Sequence, residues 1–339
     1  MSVSPLLSAQ LIQDTSLDKY VEEDVIVSLN EPDSRWHAFL LRFMTPMKLK
    51  LRVLEILFLT VAFGCEPEAR RSWNRFSTSG ISLEELDSPD FSIFPALTKR
   101  LAEIAPEDRR LEKLKGHYKY TWTKNQLKLK ELAECITVLQ ESGVGCIASK
   151  DAGLSLVLHS QRAARQIDRP ALLVSSENYI RAQRLLSETN TNVCVMKLPH
   201  GKADALVWRD ARSVDISGVQ ALSLSSSDLL LQHMLSAKFK GTNQRQWFAD
   251  CLRLLPLFED DIQVKQLRDR IDDSCSILDF MQAWCLFLRI ADLTHCALPH
   301  SPVCKIFATM RVSSKELFYR SGNRLRSTCG FGLTGESTC

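Results

Sequence analysis

The sequence predicts an α+β protein in which a small mixed β-sheet lies between an N-terminal and a C-terminal helical region. Apolar residues recur at three- and four-residue intervals on both sides of residues 124–220, which is the spacing of helices. Inside that central segment, short runs rich in Val, Ile and Leu alternate with amphipathic stretches. The length of 339 residues is enough for two or three domains with substantial cores.

Composition and charge are those of an ordinary globular protein. Hydrophobic residues make up 45% of the chain and charged residues 24%. The net charge is only +3, which does not indicate general binding to polyanions. The most apolar run, VLEILFLTVAF at 53–63, is too short to span a bilayer and contains Glu55. We therefore expect no membrane partner.

The cysteines bear on the compartment. Eleven of them occur at irregular spacings without a C-x-x-C pair, and the N-terminus shows no secretory signal pattern. An odd number of cysteines without such a signal predicts reduced thiols and a cytoplasmic location.

The N-terminal third divides into an arm and a helical region. Residues 1–35 have a mixed pattern with an acidic patch, and we expect them to form a loosely attached arm. From 36 to 123 the pattern is helical throughout, as in WHAFLLRFM, LKLRVLEILFLTVAF and IFPALTKRLAEIA. Prolines punctuate these segments at Pro46, Pro89, Pro95 and Pro106.

Residues 124–220 predict the α/β domain. The stretch NQLKLKELAECITVLQESGV is an amphipathic helix, and Gly143 follows its last turn as a C-terminal cap. The strand candidates are GCIAS, ALLVSS, NVCVMK, ADALVW and SVDIS, with a helix at ENYIRAQRLLSE. We expect residues 145–149, 170–175 and two strands within 193–216 to form one mixed sheet, with the helix before Gly143 packed on it.

Residues 221–320 return to helical spacing. The segments LSLSSSDLLLQHMLSAKF, QRQWFADCLRLLPLF and ILDFMQAWCLFLRIADL carry the pattern. The last residues, 321–339, are rich in Gly, Ser and Thr, and we expect them to be disordered.

Several of these segments, in this order, resemble a family of bacterial uncharacterised nucleotidyltransferases. FPALTKRLAEI resembles the family's Pro-Leu-x-x-x-Leu helix, and the helix before Gly143 resembles the long helix before its first strand. LSLSSSDLLLQHML resembles its Leu-Ser-x-Glu-Asp-Leu-Leu-Leu helix. WFADCLRLL resembles its Trp-x-x-Asp-x-x-x-Leu-Leu helix, with Trp247 and Asp250 at the fixed positions. The resemblance covers about 36–255 and implies a nucleotidyltransferase-like sheet domain.

The resemblance also implies a chemistry. The family transfers a nucleotidyl group from an NTP to an acceptor, and two Mg²⁺ ions stabilise the attacking and leaving oxygens. Those hard cations need oxygen ligands. The family supplies two carboxylates from an Asp-Ile-Asp-Leu-Leu-Val strand and a third from a later strand. A glycine after the first strand lets the backbone approach the triphosphate at a helix N-terminus.

This chain departs from that pattern at the metal ligands. RQIDRPALLV aligns with the family strand, with Arg165 on the family's Arg, but the two Asp positions become Arg169 and Ala171. Pro170 stands between them and removes a backbone donor. A cation beside Arg169 would cost about 4 kcal/mol per unit charge at ~4 Å and an effective dielectric of ~20. No metal ligand is therefore assigned.

Three other carboxylates offer an alternative. Asp151 occupies the family's glycine position, Asp168 precedes the strand, and Asp204 lies near the place of the third carboxylate. A rebuilt Mg²⁺ site would use all three, with Asp168 and Asp204 as the catalytic candidates. The other interpretation, which we favour, is that they are solvated turn residues.

Residues around the first strand and the degenerate strand are candidates for holding a nucleotide phosphate without metal. Lys150 fits the family's Leu-Lys-Gly turn, and Gly153 lies two residues beyond the family's glycine position. The full set of nucleotide-binding candidates is Ser149, Lys150, Asp151, Gly153, Arg165 and Arg169.

One basic stretch requires a choice between two interpretations. The segment 99–130 holds ten Lys and Arg against four Asp and Glu, interleaved with Tyr118, Tyr120 and Trp122. Such mixtures bind single-stranded nucleic acid. We favour a helical pair with its aromatic residues inward and its lysines outward, because the overall charge is nearly balanced, and we expect no nucleic-acid partner.

The sequence therefore supports two functions of different classes. By resemblance, the protein transfers a nucleotidyl group from an NTP to an unknown acceptor. The alternative is a catalytically inactive protein that binds a partner protein, a peptide or a nucleotide, in a biosynthetic tailoring system such as those beside which the family occurs. The loss of the paired Asp residues is the feature that separates the two.

Overall fold

The protein is described here by a computed structural model. It describes residues 24–28, 48–83, 92–158, 165–189, 191–198, 202–236, 244–257, 265–267, 269–271 and 277–296. Most of the predicted arm and the whole of the predicted tail, 321–339, lie outside these residues.

The N-terminal region is not entirely helical, so that prediction was wrong. Strands β1 (Asp24–Ser28) and β2 (Lys48–Arg52) pair antiparallel. The KLKLR sequence of β2 alternates polar and apolar residues, which is the two-residue period of a strand. The helix predicted to begin near residue 49 begins at Val53 instead, as α1 (Val53–Phe63).

Three further helices precede the main sheet. They are α2 (Glu66–Thr78), α3 (Phe94–Ile104) and α4 (Arg110–Glu141). Proline stands in the first turn of both α2 and α3, where its missing N–H has no partner in any case. Helix α4 runs without interruption across the predicted boundary at residues 123 and 124. Gly143 follows α4 with a φ of 70°, as predicted for its cap.

The central sheet has five strands. They are β3 (Cys146–Ser149), β4 (Ala171–Val174), β5 (Cys194–Lys197), β6 (Arg212–Ile216) and β7 (Val219–Ser223). Their order across the sheet is β5-β4-β3-β7-β6. The β4–β5 and β3–β7 pairs are parallel, and the β3–β4 and β6–β7 pairs are antiparallel. The predicted mixed sheet is thus confirmed.

Two details of the sheet differ from the prediction. ADALVW lies in helix α7 (Lys202–Asp210) and not in a strand. Strand β7 was missed, although β6 and β7 are joined by the two-residue turn Ser217-Gly218, whose φ angles are 54° and 89°. A Ser-Gly pair between two short strands is a recognised hairpin signal, because both central residues of the turn need positive φ. The helix predicted between β4 and β5 is present as α6 (Tyr179–Ser187).

The described C-terminal part is helical, as predicted. Helices α8 (Ser226–Ser236), α9 (Gln244–Leu254) and α10 (Ile277–Leu293) are present, and a short 3-10 turn, Leu255–Leu257, follows α9. In the sheet domain, a short helix, α5 (Lys150–Val157), directly follows β3. Among the described residues, none of the helices has the length and apolar character needed to cross a bilayer.

The sheet separates two apolar cores because side chains alternate along its strands. Ala148 and Leu172 face the smaller core, which α4 and α6 cover with residues such as Leu132 and Leu186. Ile147 and Leu173 belong to the larger core, which also holds residues of α1, α3, α8, α9 and α10. The N-terminal and C-terminal helices are therefore packed around one shared core.

Candidate functional site

The junction between β3 and α5 is where the family resemblance places the phosphate. Ser149 ends β3 and is buried, and its Oγ donates to the Ala171 carbonyl at 3.3 Å. Lys150 begins α5 with a φ of 50°, a left-handed conformation that lets the chain turn sharply from strand to helix. Its backbone N–H donates to Gln232 Oε1 of α8 at 2.9 Å. Both residues thus hold the turn in place through hydrogen bonds to β4 and α8.

Gly153 allows close packing at this junction. A Cβ at this position would lie 3.1 Å from the Ala148 carbonyl oxygen and 3.1 Å from Leu229 Cδ2. Gly153 is buried on α5 with a helical backbone, and a larger residue would push α5 away from β3 and α8. The glycine therefore has a packing reason that does not depend on a phosphate.

We predict that Gly153→Val destabilises the protein by about 1–3 kcal/mol, because the added methyl groups overpack the contact between α5 and α8. Urea unfolding followed by circular dichroism measures this change. Gly116→Val is the matched control, because Gly116 is also helical but a Cβ there has nothing within 4 Å. Equal stability of the two variants would contradict the packing role.

Arg165 is the centre of a buried network of ion pairs. Its side chain is 8% exposed, and each of its three nitrogens donates a hydrogen bond. Nε donates to Asp250 Oδ2 at 2.8 Å, Nη2 to Asp151 Oδ1 at 2.6 Å, and Nη1 to the Gln166 carbonyl at 2.9 Å. The guanidinium therefore joins α5 to α9, and all three of its nitrogens already donate to acceptors of the protein.

The ion pair between Asp151 and Arg165 is stabilised in its charged form. Burial acts to raise the pKa of Asp151, but the charge and hydrogen bond of Arg165 outweigh it and hold this pKa below the usual aspartate value. Burial likewise acts to lower the pKa of Arg165, and the charges of Asp151 and Asp250 raise it above its ordinary value. The pair is held in its charged form on both sides.

Asp250 also receives other donors from its surroundings. Gln246 Nε2 donates to Oδ1 at 2.7 Å, and Arg253 Nη1 lies 3.4 Å from the same oxygen. His233 Nδ1 lies 3.9 Å from Oδ2. Burial lowers the pKa of His233, and its Nε2 has no hydrogen-bond partner in the described part of the chain. His233 is thus a neutral imidazole beside the ion pairs.

Asp168 and Arg169 lie at the exposed edge of the same site. The backbone N–H of Asp168 donates to Asp151 Oδ2 at 3.2 Å, and its carboxylate accepts from Gln166 Nε2 at 2.9 Å. Lys128 donates to the Asp168 carbonyl. Desolvation and then the negative charge of Asp151 raise the pKa of Asp168. Arg169 is exposed.

Neither position of the expected paired metal ligands carries a carboxylate, since one is the cation Arg169 and the other is Ala171. Ala171 pairs with Ser149 of β3 and with Cys194 of β5, so these three side chains form one row across the sheet. In the family pattern, a carboxylate stands at the position of Ala171. None of the four residues of β5, CVMK, is acidic, so the strand beside β4 offers no third carboxylate. These residues do not fit a pair of Mg²⁺ ions.

The alternative metal site is brought together only in part. Asp151 and Asp168 are adjacent, but the Asp151 carboxylate is bound by Arg165. Asp204 lies on helix α7, which corrects its expected place in a strand, and its side chain is outside the described residues. Within the described residues, no three His, Cys, Asp or Glu side chains are grouped as metal ligands would be.

Some residues of the network were not predicted as site residues. Asp250 was recognised as a fixed position of the family helix, and Arg165 as the family's Arg, but nothing along the chain indicated that the two pair. Gln246 and Arg253 lie four residues before and three residues after Asp250, which places them on the same face of α9. That spacing was the signal in the sequence that could have indicated their contact with Asp250.

The aromatic residues of α4 do not all point inward, so that prediction was wrong. Tyr120 is 54% exposed and Trp122 is 49% exposed. The helical pair itself is present, because residues 99–130 contain the end of α3 and the first part of α4, which pack against each other. Lys124 Nζ lies 4.5 Å from the centroid of the Tyr120 ring, so the aromatic ring and the lysine interact at the surface.

Comparison with known proteins adds no relative: no family model, no curated protein and no solved structure matches this chain.

Proposed function

We propose that this protein is a binding protein with a nucleotidyltransferase-like layout that does not carry out metal-dependent nucleotidyl transfer. The observation that carries the proposal is the neutral row of Ser149, Ala171 and Cys194 where the family's carboxylate strand would present its ligands. Two-metal transfer needs several oxygen ligands around the two ions. Ser149 already donates its hydroxyl to the Ala171 carbonyl, and Ala171 has no ligand atom in its side chain.

The order of elements supports the nucleotidyltransferase-like layout. Helix α4, strand β3, helix α5, strand β4, helix α6 and strand β5 follow one another, and the three strands lie side by side. That is the order expected from the resemblance of the sequence to the family. This order supports the proposal of a nucleotidyltransferase-like layout with changed ligand positions.

The ion-pair network supports the loss of catalysis. Asp151 is the carboxylate nearest to the β3–α5 turn, and it accepts from Arg165 at 2.6 Å. Binding a metal ion at Asp151 would require this pair to break, which would leave a buried arginine with one carboxylate partner fewer. The network therefore favours a structural role for Asp151.

The groups that remain for a ligand are cationic. Lys150 directly follows Ser149, and Arg169 lies two residues before Ala171. Since Ser149 and Ala171 are paired, Lys150 and Arg169 lie at the same end of the sheet. Neither side chain makes a hydrogen bond or ion pair with the described residues. We therefore propose that this end of the sheet holds a phosphate group of a nucleotide without a metal ion, as two positively charged side chains do.

Calorimetry with ATP, with and without Mg²⁺, tests the proposal. We expect weak binding that does not require Mg²⁺, and no release of pyrophosphate. Lys150→Ala and Arg169→Ala should each weaken this binding by about 3- to 10-fold, since each removes one positive charge at this end of the sheet. Lys119→Ala, which removes an exposed lysine of α4, is the matched control.

Two results would contradict this proposal. Mg²⁺-dependent binding of ATP with release of pyrophosphate would support the active transferase with a rebuilt site at Asp151, Asp168 and Asp204. Absence of ATP binding under both conditions would favour a protein or peptide partner over a nucleotide.

A further inference from the structure

A cleft of about 990 Å³ opens beside Arg253, away from the β3–α5 turn. It lies between the C-terminal ends of α1 and α5, one face of α3, and the end of α9 with the turn that follows it. Its volume is within the range of small-molecule sites, which runs to about 1,000 Å³. Much of its lining is apolar, including Phe63, Leu158 and Leu252.

Arg253 is a buried cation whose hydrogen-bonding capacity is largely unused. Its side chain is 7% exposed, and its one polar contact in the described part of the chain is the 3.4 Å approach of Nη1 to Asp250 Oδ1. That oxygen also accepts the shorter hydrogen bond from Gln246. A guanidinium has five N–H donors, and a buried one is stable only when most of them are bound.

Arg253 has fewer hydrogen-bond acceptors in the described part of the chain than Arg165 has. Arg165 donates from all three of its nitrogens to acceptors at 2.6–2.9 Å. Arg253, in contrast, approaches only Asp250 of this network. Arg253 also lines the cleft. Its remaining N–H groups are therefore available to an acceptor that enters the cleft.

The charge around Arg253 also favours an anion. Three cationic side chains line the cleft, Lys99, Arg100 and Arg253, against the single carboxylate of Glu103. Arg253 lies 5.5 Å from the centroid of the Phe63 ring, and Arg100 Nη2 lies 3.5 Å from the carbonyl oxygen of the next residue, Gly64. Two of the cations thus meet at the end of α1, beside an apolar wall.

We propose that this cleft binds an amphiphilic carboxylate, with its carboxylate paired to Arg253 and its hydrocarbon chain against Phe63, Leu158 and Leu252. A planar carboxylate accepts two hydrogen bonds from a guanidinium fork, which supplies the acceptors that Arg253 lacks. An alkyl chain matches the apolar part of the lining. The inference is independent of the proposed loss of nucleotidyl transfer.

Calorimetry with decanoate, decanol and decylammonium tests the charge of the ligand. We expect decanoate to bind about 10-fold or more tightly than decanol, since a hydrogen bond to a charged group contributes that much. Decylammonium should not bind. Arg253→Gln should lower the affinity for decanoate about 10-fold and leave that for decanol unchanged, and Arg253→Lys should restore part of the loss. Equal binding of decanoate and decanol to the unmodified protein would overturn the proposal.

A second variant tests where the ligand binds and leaves the ion pairs of Arg253 and Arg165 unchanged. Ala102 is an exposed residue of α3 that lines the cleft, and Ala102→Trp should obstruct part of the cleft and weaken decanoate binding. Ala205→Trp is the matched control, because Ala205 is an exposed alanine on α7 that does not line this cleft. Unchanged decanoate binding by the Ala102 variant would overturn the location. The ATP measurement is unaffected by either outcome, so the two proposals fail separately.

Discussion

Arg165→Met should destabilise the protein by about 3–5 kcal/mol, because it leaves the buried carboxylates of Asp151 and Asp250 without their shared partner. Asp250 is 1% exposed and Asp151 18% exposed in their side chains, so water replaces the lost hydrogen bonds poorly. Urea unfolding at neutral pH measures the change. Methionine keeps much of the volume of the arginine stem, so that the loss reports the charge and its hydrogen bonds and not a cavity.

Arg169→Met is the matched control for this prediction. Arg169 is four residues further along the chain but is exposed, so its replacement should change the free energy of unfolding by less than about 0.5 kcal/mol. Asp250→Asn should be costly alone and less than additive with Arg165→Met, because the two side chains interact directly. Equal stability of the Arg165 and Arg169 variants would show that the network does not hold the fold.

The pH dependence of this effect has a definite sign. Arg165 holds the pKa of Asp151 below its usual value, so the stabilisation from this pair is present above the unfolded pKa and is lost as the pH falls through the folded pKa. The difference between the unmodified protein and Arg165→Met should therefore shrink below about pH 3.9.

Phe287→Ala should also destabilise the protein, by about 3–5 kcal/mol, through the cavity that it leaves. Phe287 of α10 is fully buried, and its ring lies 5.0 Å from that of Phe248 and 5.4 Å from that of Trp284. It also makes an edge contact with Trp247 of α9 at 6.4 Å. Because this core also includes residues of α1 and α3, the whole chain should unfold in a single, less stable transition.

Leu288→Ala is the matched control, since Leu288 is the next residue of α10 and is 37% exposed. We expect it to change the free energy of unfolding by less than about 1 kcal/mol, because the leucine stays partly in water. A separate early transition in the Phe287 variant, seen by tryptophan fluorescence before circular dichroism, would contradict a shared core. It would mean that the C-terminal helices unfold independently.

The sequence by itself determined the elements whose pattern is local. Strands β3, β4 and β5 were predicted from short runs of Val, Ile and Leu, and the C-terminal half of α4 from its apolar face and Gly143. These signals depend on side-chain period, which neighbouring residues alone establish. The sequence also showed that Arg169 and Ala171 stand where the resemblance would place paired Asp residues.

Where local patterns compete, the sequence was a poorer guide. ADALVW was assigned to a strand because of its apolar residues, but the segment forms α7, and its six residues are too few to separate a helix from a strand by period. The residues of strand β2 were predicted to belong to the apolar helix that follows it. For β2, the pairing with β1, which is a tertiary contact, decided the conformation.

Only the tertiary structure decided what the charged residues do. Arg165 reaches Asp151 across 14 residues of sequence and Asp250 across 85. No local pattern reports such a pairing, because it depends on how α5 and α9 are placed by the apolar core between them. The same placement leaves Arg253 of α9 at the cleft with unused donors. The burial of each arginine and its distances to acceptors are set only when the helices pack. These two quantities distinguish the structural Arg165 from Arg253, which is proposed to bind a ligand.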